Sequence, residues 1–570
     1  MSTSKDVITG LALSGGGANA HSFITGLFAG LYQSAQLSGQ PDPLTEALGN
    51  TSVVSTNSGS TWFIAEAGWS NDFVSDNFSS GSYGKQSTWQ RLIEPVEEIR
   101  QKLVKILPDS INSLPAVYLS AAYDAVINGN MLDQVSGSLH PKDYGSWTHY
   151  VYNDIINNRQ VESNTLSSPT LGWLDNKTVI MSTGIQDNVP LISLPNTLPL
   201  GLPSYFWTDN ISDNNKYDVV PLSIASKPGT AGRRIGEVSF TMKDQLTNAS
   251  YILVQNPTKP NQPFPNIITS KISSNGNAND FGLLNASAMS SAGAASLARL
   301  DLNPSYLSKQ SPEFLSIGQP IEIIASNNLR ELSPMIQFSF NKNQGQVMPS
   351  EDIIIARKSQ SLWDRIRLVG DIDIDGTKSN LISQQPARTV DGGYFDNTTV
   401  ATNLRQLLKS DPDKSFRITA WVNDYDTYEA LPGPISRLFE PFDDNPTSHS
   451  VLNPFGQGPI NVPKIGVFSV DKGASLQDAY NSTKQVIAKS PDESISIERF
   501  EVDVTTQTNP LFDIDGGRTG KVVFYHAQNT KSDMLPSQSN IGELENNYNL
   551  AFGAFKDNSQ FYQDFHSDLI

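Results

Sequence analysis

Val7-Ile8-Thr9-Gly10-Leu11-Ala12-Leu13-Ser14-Gly15-Gly16-Gly17-Ala18-Asn19-Ala20 passes from an apolar run through three consecutive glycines. It then enters a segment, Phe23 to Leu31, whose apolar residues recur at helical spacing. A short apolar run ending in glycines reads as a buried strand, and the change of period after it predicts a tight turn into a helix. The same order returns a little further on. Thr51 to Val54 reads as a strand, Ser55 to Ser60 as a polar turn, and Trp62 to Ala67 as the entry to a second helix. Two strand-turn-helix units so close together predict parallel strands joined by crossover helices, which is an α/β fold.

Outward from this start the pattern changes twice. Residues 79–164 contain segments such as Leu92 to Leu107 and Leu114 to Ile127 with helical periodicity, and are expected to form a helical insertion or cap. Residues 178–280 carry strand signals at Thr178-Val179-Ile180-Met181 and Ser250 to Val254, and are expected to form a strand-rich insertion or lid. A last α/β unit runs from Thr389 through Asp391-Gly392-Gly393 to a helix at Val400 to Leu408 and a strand at Phe416 to Val422. The expectation is one large α/β domain over 1–570, its mostly parallel central sheet flanked by helices.

The 570 residues include 40 Lys+Arg and 58 Asp+Glu, a formal charge of −18. Phosphate-backbone binding is built from clustered Lys and Arg, so no nucleic-acid partner is expected. The absence of cysteine removes disulfides, thiolate metal sites and cysteine nucleophiles, leaving oxygen and histidine chemistry. Met1 to Gly10 holds one lysine and no apolar core, so a cleaved signal peptide is not expected. No apolar, proline-free stretch is long enough to cross a bilayer. Cytoplasmic residence, with peripheral membrane association for a lipid substrate, is the expectation; protein partners are unknown.

Three constellations carry chemistry. At Ser14-Gly15-Gly16-Gly17-Ala18-Asn19-Ala20, glycines let the backbone approach an oxygen closely, and the following helix start adds a positive dipole. Such a loop suits a phosphate or an oxyanion. Gly15, Gly17 and Ala20 also satisfy a relaxed dinucleotide fingerprint, but no acidic ribose partner stands about 20 residues on. At Val54-Ser55-Thr56-Asn57-Ser58-Gly59-Ser60-Thr61-Trp62, a serine lies on a sharp strand-to-helix turn between small neighbours. This geometry exposes the hydroxyl and offers the next backbone N–H to an oxyanion. At Val390-Asp391-Gly392-Gly393-Tyr394-Phe395-Asp396-Asn397, an aspartate closes a strand and glycines open the backbone, presenting a carboxylate at the carboxyl edge of a sheet. The second Asp-Gly-Gly, Asp515-Gly516-Gly517, runs straight into the strand Lys521 to Tyr525 and reads as a hairpin turn.

Taken in order, these three motifs resemble those of the patatin-like and cytosolic phospholipase A2-like lipid acyl hydrolases. Ser58-Gly59-Ser60-Thr61-Trp62 looks like the cytosolic phospholipase A2 elbow, and Asp391-Gly392-Gly393 with Asn397 is similar to the patatin version. The resemblance implies a patatin-like sandwich and a Ser58–Asp391 dyad without histidine. It also implies Gly16, Gly17 and Gly59 as oxyanion donors, Asn19 and Trp62 as substrate contacts, a lipid or lysolipid substrate, and no metal or cofactor. Thr56 stands where the usual elbow has glycine, and Asn19 where cytosolic phospholipase A2 enzymes carry arginine. The competing readings are a catalytically inactive lipid-binding relative and a nucleotide-binding α/β protein using the glycine loop.

Other features have plainer readings. His21 invites a triad but is read as a helix-start residue hydrogen-bonding locally; His449, His526 and His566 lie in no recognisable motif. Asp371, Asp373, Asp375 and Gly376 fit the first half of a calcium loop, but the twelfth position is Ile382 in place of the bidentate Glu. A polar strand edge is preferred there. The uncharged, proline-bearing stretch Asn188 to Thr208 is read as a packed loop, with an apolar lid as the alternative. Asn285 to Leu297, rich in Ala, Ser and Gly, is read either as the small-residue segment of patatins or as ordinary tight helix packing.

Overall fold

The architecture is taken from a computed structural model. It describes residues 7–39, 41–86, 88–90, 151–156, 161, 164, 166, 168–186, 219–226, 238–243, 250–255, 267–274, 277–280, 283–291 and 335–340. It further describes 386–424, 433–442, 450–452, 459–461, 465–509, 512, 514–531 and 541–569. Most of the expected 79–164 helical insertion, the Asn188 to Thr208 stretch, His449 and the Asp371, Asp373, Asp375 run lie outside the described residues.

The opening stretch folds as its pattern dictates. Strand β1 (Val7–Leu13) is followed by helix α1 (Gly17–Leu37), strand β2 (Val53–Thr56) and helix α2 (Gly59–Trp69). Strand β3 (Thr178–Gln186) continues the sheet, and strands β4 (Val219–Ser226), β5 (Val238–Lys243), β6 (Ser250–Gln255), β7 (Ile267–Ser274) and β8 (Asn277–Asp280) follow. Helix α3 (Leu283–Ser290), strands β9 (Met335–Phe340) and β10 (Pro386–Asp391), helix α4 (Val400–Ser410) and strand β11 (Ser415–Asp424) complete the middle. After the short pair β12 (Ser450–Leu452) and β13 (Pro459–Asn461) come β14 (Phe468–Val470), β15 (Gln485–Lys489), β16 (Ile495–Thr506) and β17 (Thr519–Asn529). Helices α5 (Ile541–Phe555) and α6 (Gln560–Leu569) end the chain.

Five strands, in the order β3-β2-β1-β11-β17, run parallel at the centre of the sheet. Leu11, Ala12 and Leu13 of β1 are all fully buried, the continuous burial expected of a parallel strand covered on both faces. The sheet grows outward differently. β4 and β10 both join β3 antiparallel, and β16 joins β17 antiparallel, so the run of parallel strands ends on either side of the centre, although β4 and β7 pair parallel further out. The β16–β17 connection carries Asp515-Gly516-Gly517, with Gly517 at φ 93°, as the hairpin reading requires.

Helix α1 is buried along most of its length because α5 packs over it. A Cβ at Gly26 would overlap the Tyr548 backbone, and one at Gly30 would lie 2.9 Å from Phe555 Cβ, so small residues one turn apart allow the close crossing. The last helix is pinned to the sheet by charge as well as packing. Arg499 Nε and Nη2 donate to the two Asp568 oxygens at 2.8 Å each, and Tyr525 donates to the same carboxylate. On the other side of the sheet, α4 lies against β1, β2 and β11, where Asn403 Nδ2 donates to Leu11 O at 2.9 Å and to Ser55 Oγ at 3.0 Å. The result is a mixed α/β protein with a mostly parallel central sheet flanked by helices. Among the described residues no helix is long and apolar enough to cross a membrane.

Candidate functional site

The three sequence constellations meet at the carboxyl edge of the central strands. Leu13 of β1 pairs with Thr56 of β2 and Trp421 of β11, so the glycine loop after β1 and the serine turn after β2 leave the sheet side by side. β10 reaches the same edge from the other direction, with Asp391 paired to Thr183 of β3.

Ser58 occupies a conformation that L-residues rarely adopt, φ 50° and ψ −131°, at the start of α2. Such strain costs of order 1–3 kcal/mol and persists only where the surroundings enforce it. Here they do. Ser58 N donates to Ser290 O at 3.1 Å, Thr61 N and Oγ1 both donate to Ser58 O, and Asn57 N takes Ser60 Oγ as acceptor at 3.0 Å. Thr56 does not disturb the turn: it closes β2, fully buried, and donates its hydroxyl to Ile180 O at 3.1 Å.

The Asp391 carboxylate accepts the Gly393 N–H at 2.8 Å and lies within electrostatic reach of the Ser58 side chain. Desolvation dominates the environment of this acid and pushes it up to about 6, while the Ser58 side chain and the Gly393 N–H pull the other way. Its neighbour Asp396 is fully buried and likewise raised by desolvation, but it serves the backbone. It accepts Thr398 Oγ1 at 2.6 Å and Ala401 N at 3.0 Å, holding the start of α4.

The glycine loop is pressed onto the serine turn. Gly16 (φ 136°) and Gly17 (φ 54°) lie in the left-handed half of conformational space, and Gly16 precedes α1 with no side-chain cap. A Cβ at Gly15 would stand 2.8 Å from Ser58 Cβ, and one at Gly59 would overlap the Gly17 carbonyl, so neither position has room for a side chain. The N–H groups of Gly15 and Ser58 are engaged by the carbonyls of Asn397 and Ser290. Those of Gly16, Gly17 and Gly59 stand at or just before the first residue of a helix, where no intrahelical acceptor exists.

Asn19 and Trp62 are both buried. Asn19 Oδ1 accepts Asn547 Nδ2 from α5 at 2.6 Å, and the Trp62 ring lies 6.4 Å from that of Trp89. His21 is fully buried on α1 and bonds locally, Nε2 to Glu66 at 2.8 Å and Nδ1 to the Tyr83 hydroxyl at 2.9 Å. Lys85 completes that cluster on the other Glu66 oxygen at 2.6 Å. Burial holds the His21 imidazole below its usual value, opposed by Glu66. His526 sits on β17 with Nε2 3.7 Å from Asp424, and His566 on α6 bonds Ala47 O; neither is paired with Ser58.

Two site residues carry no signal in the sequence. Ser290, at the end of α3, offers one carbonyl to both Ser58 N and Gly392 N, at 3.1 and 3.2 Å, while its hydroxyl donates to Ser182 O. The small residues of 283–291 thus pack tightly against the site. Asn57, just before the serine, is wedged between the motifs with its Nδ2 on Asp396 O at 2.7 Å. A carbonyl acceptor and an asparagine beside a serine have no pattern to betray them.

No family model matches the chain, and no curated protein matches it. Among solved structures, human GIVD cytosolic phospholipase A2 is similar at a TM-score of 0.34 and 11% identity, over 99% of this chain and 63% of that one. The chain therefore spans less than two thirds of that protein's length, and a likeness of this degree assigns neither fold nor function.

Proposed function

We propose that the protein is a serine carboxylic-ester hydrolase acting through a Ser58–Asp391 dyad, with acyl lipids as its substrate class. The observation that carries this reading is Ser58, held on a strained turn beside the desolvated Asp391 carboxylate. Asp391 takes the Ser58 proton as Oγ attacks the ester carbonyl, and returns it to the leaving alcohol. The N–H groups of Gly16, Gly17 and Gly59 receive the tetrahedral oxyanion, a contribution worth about 10²- to 10³-fold in rate for one donor. Water then releases the acyl group by the reverse proton path.

The close packing of Gly15 and Gly17 against the serine turn favours this reading over nucleotide binding, since it brings the loop onto Ser58. The lipid substrate and the patatin-like sandwich rest on the motif resemblance. In this reading Asn19 and Trp62 shape the wall beside the acyl group, no metal or cofactor takes part, and the protein meets its substrate at a membrane or micelle surface. The test is hydrolysis of p-nitrophenyl butyrate and of mixed phospholipid–detergent micelles by purified protein. Ester cleavage by wild type that is lost in Ser58→Ala supports the reading. Equal turnover by Ser58→Ala removes Ser58 as nucleophile, and ester turnover without lipid turnover removes the lipid assignment.

A further inference from the structure

We infer that Asn57 is a positioning residue that sets the Ser58 hydroxyl against Asp391, an inference that rests on the dyad proposed above. Segments 14–17, 55–60 and 391–397 arrive from distant parts of the chain, and the Asn57 side chain, in the second, bonds to the third and lies close against the first. Its Nδ2 donates to Asp396 O at 2.7 Å, its Oδ1 lies 2.7 Å from where a Gly15 Cβ would stand, and its Cβ lies 3.1 Å from the same point at Gly392. One side chain therefore fixes the glycine loop, the serine turn and the base-bearing turn relative to one another.

Fold stability alone does not account for an amide at this position. The Asp396 carbonyl already accepts Thr399 N at 3.2 Å, so it would stay satisfied without Asn57. Asn57 Oδ1 is buried and has no hydrogen-bond partner among the described residues, an arrangement that burial normally penalises. Local cost accepted beside a reactive group is the pattern expected where geometry is maintained for chemistry. The Ser290 carbonyl supplies the matching main-chain strut, because it takes both Ser58 N and Gly392 N. The strut sets the distance between the two backbones, and Asn57 sets how their side chains face.

The experiment compares wild type, Asn57→Ala and Asn57→Asp for p-nitrophenyl butyrate hydrolysis across pH, with fluorophosphonate labelling and thermal unfolding of each. Both variants should lower kcat by about 10- to 100-fold with KM little changed, the scale of a misplacement near 1 Å. The acid limb of the Asn57→Ala profile should move to higher pH, because a displaced Ser58 side chain no longer helps hold the Asp391 carboxyl down. Asn57→Asp keeps the size and the oxygen but loses the donor and adds a negative charge, so its limb should move further. Wild-type kcat in folded variants, or a loss of kcat with the acid limb unmoved, overturns the inference while leaving the dyad intact. A wild type that neither turns over nor takes the label overturns the dyad and the inference together.

Discussion

Gly59→Ala separates helix propensity from site geometry. Gly59 is the first residue of α2, and there propensity alone favours alanine by up to about 1 kcal/mol. The surroundings oppose it. The new Cβ would overlap the Gly17 carbonyl oxygen and stand 2.6 Å from its carbonyl carbon and 2.7 Å from its Cα, all rigid backbone. An ordinary contact is 3.4 Å, so the Gly17 peptide must retreat by about 0.8 Å, the difference between 3.4 and 2.6 Å, and its oxygen by more. Overpacking of this kind costs about 1–3 kcal/mol, which outweighs the propensity gain. The same shift carries the Gly16 and Gly17 N–H groups about 1 Å from the serine, and a displacement of that size costs on the order of 10²-fold in rate. The assay is p-nitrophenyl butyrate turnover beside thermal unfolding, with Gly553→Ala as control. Nothing lies within 4 Å of a Cβ at Gly553, on helix α5, so that substitution should leave the rate alone. A Gly59→Ala protein that is as stable and as active as wild type would refute the placement of the glycine loop against the serine turn.

Four further outcomes follow from the charged groups. Asp391 acts as a base only when ionised, so kcat/KM should climb as pH rises through about 6 and then level off; a flat profile across that range contradicts its role. Its folded-state value lies above the unfolded 3.8, so the protonated form suits the fold better and stability is lost as pH rises from about 4 through about 6. Asp391→Asn should therefore abolish turnover yet unfold at a higher temperature than wild type at pH 7. The gain is at most about 3 kcal/mol, less the weakened Gly393 bond, and should vanish near pH 4. Glu66→Ala should cost about 3–5 kcal/mol by stranding Lys85 in the interior, whereas His21→Gln should leave Ser58 labelling unchanged; loss of labelling in a folded His21→Gln protein would revive a histidine triad.

The parts of the fold legible in sequence were those governed by local pattern. β1, the glycine turn, α1, β2 and α2 follow from periodicity and from glycines at positive φ, and the unit from β10 through α4 to β11 follows from Asp391-Gly392-Gly393 and its flanking apolar runs. The antiparallel joins of β4 and β10 to β3 were not legible, because strand direction is decided by long-range pairing and leaves no mark on Thr178 to Met181 or Val219 to Ser226. Within the site, Ser58, Asp391 and the glycines stood out because their chemistry demands particular residue types. Ser290 acts through a carbonyl that every residue possesses, and Asn57 through contacts with segments remote in sequence, so neither had a local signature. Thr56 shows the converse. Its side chain, standing where the usual elbow has glycine, ends β2 and bonds across to Ile180, and the strained serine conformation forms beside it.

The most direct measurement is fluorophosphonate labelling of wild type, Ser58→Ala and Asp391→Asn, with the modified residue located by peptide mass spectrometry. The account predicts a single adduct on Ser58 in wild type, none in Ser58→Ala, and labelling of Asp391→Asn slowed by orders of magnitude. An adduct on any other residue, or a folded wild type that remains unlabelled with and without lipid micelles, would contradict it.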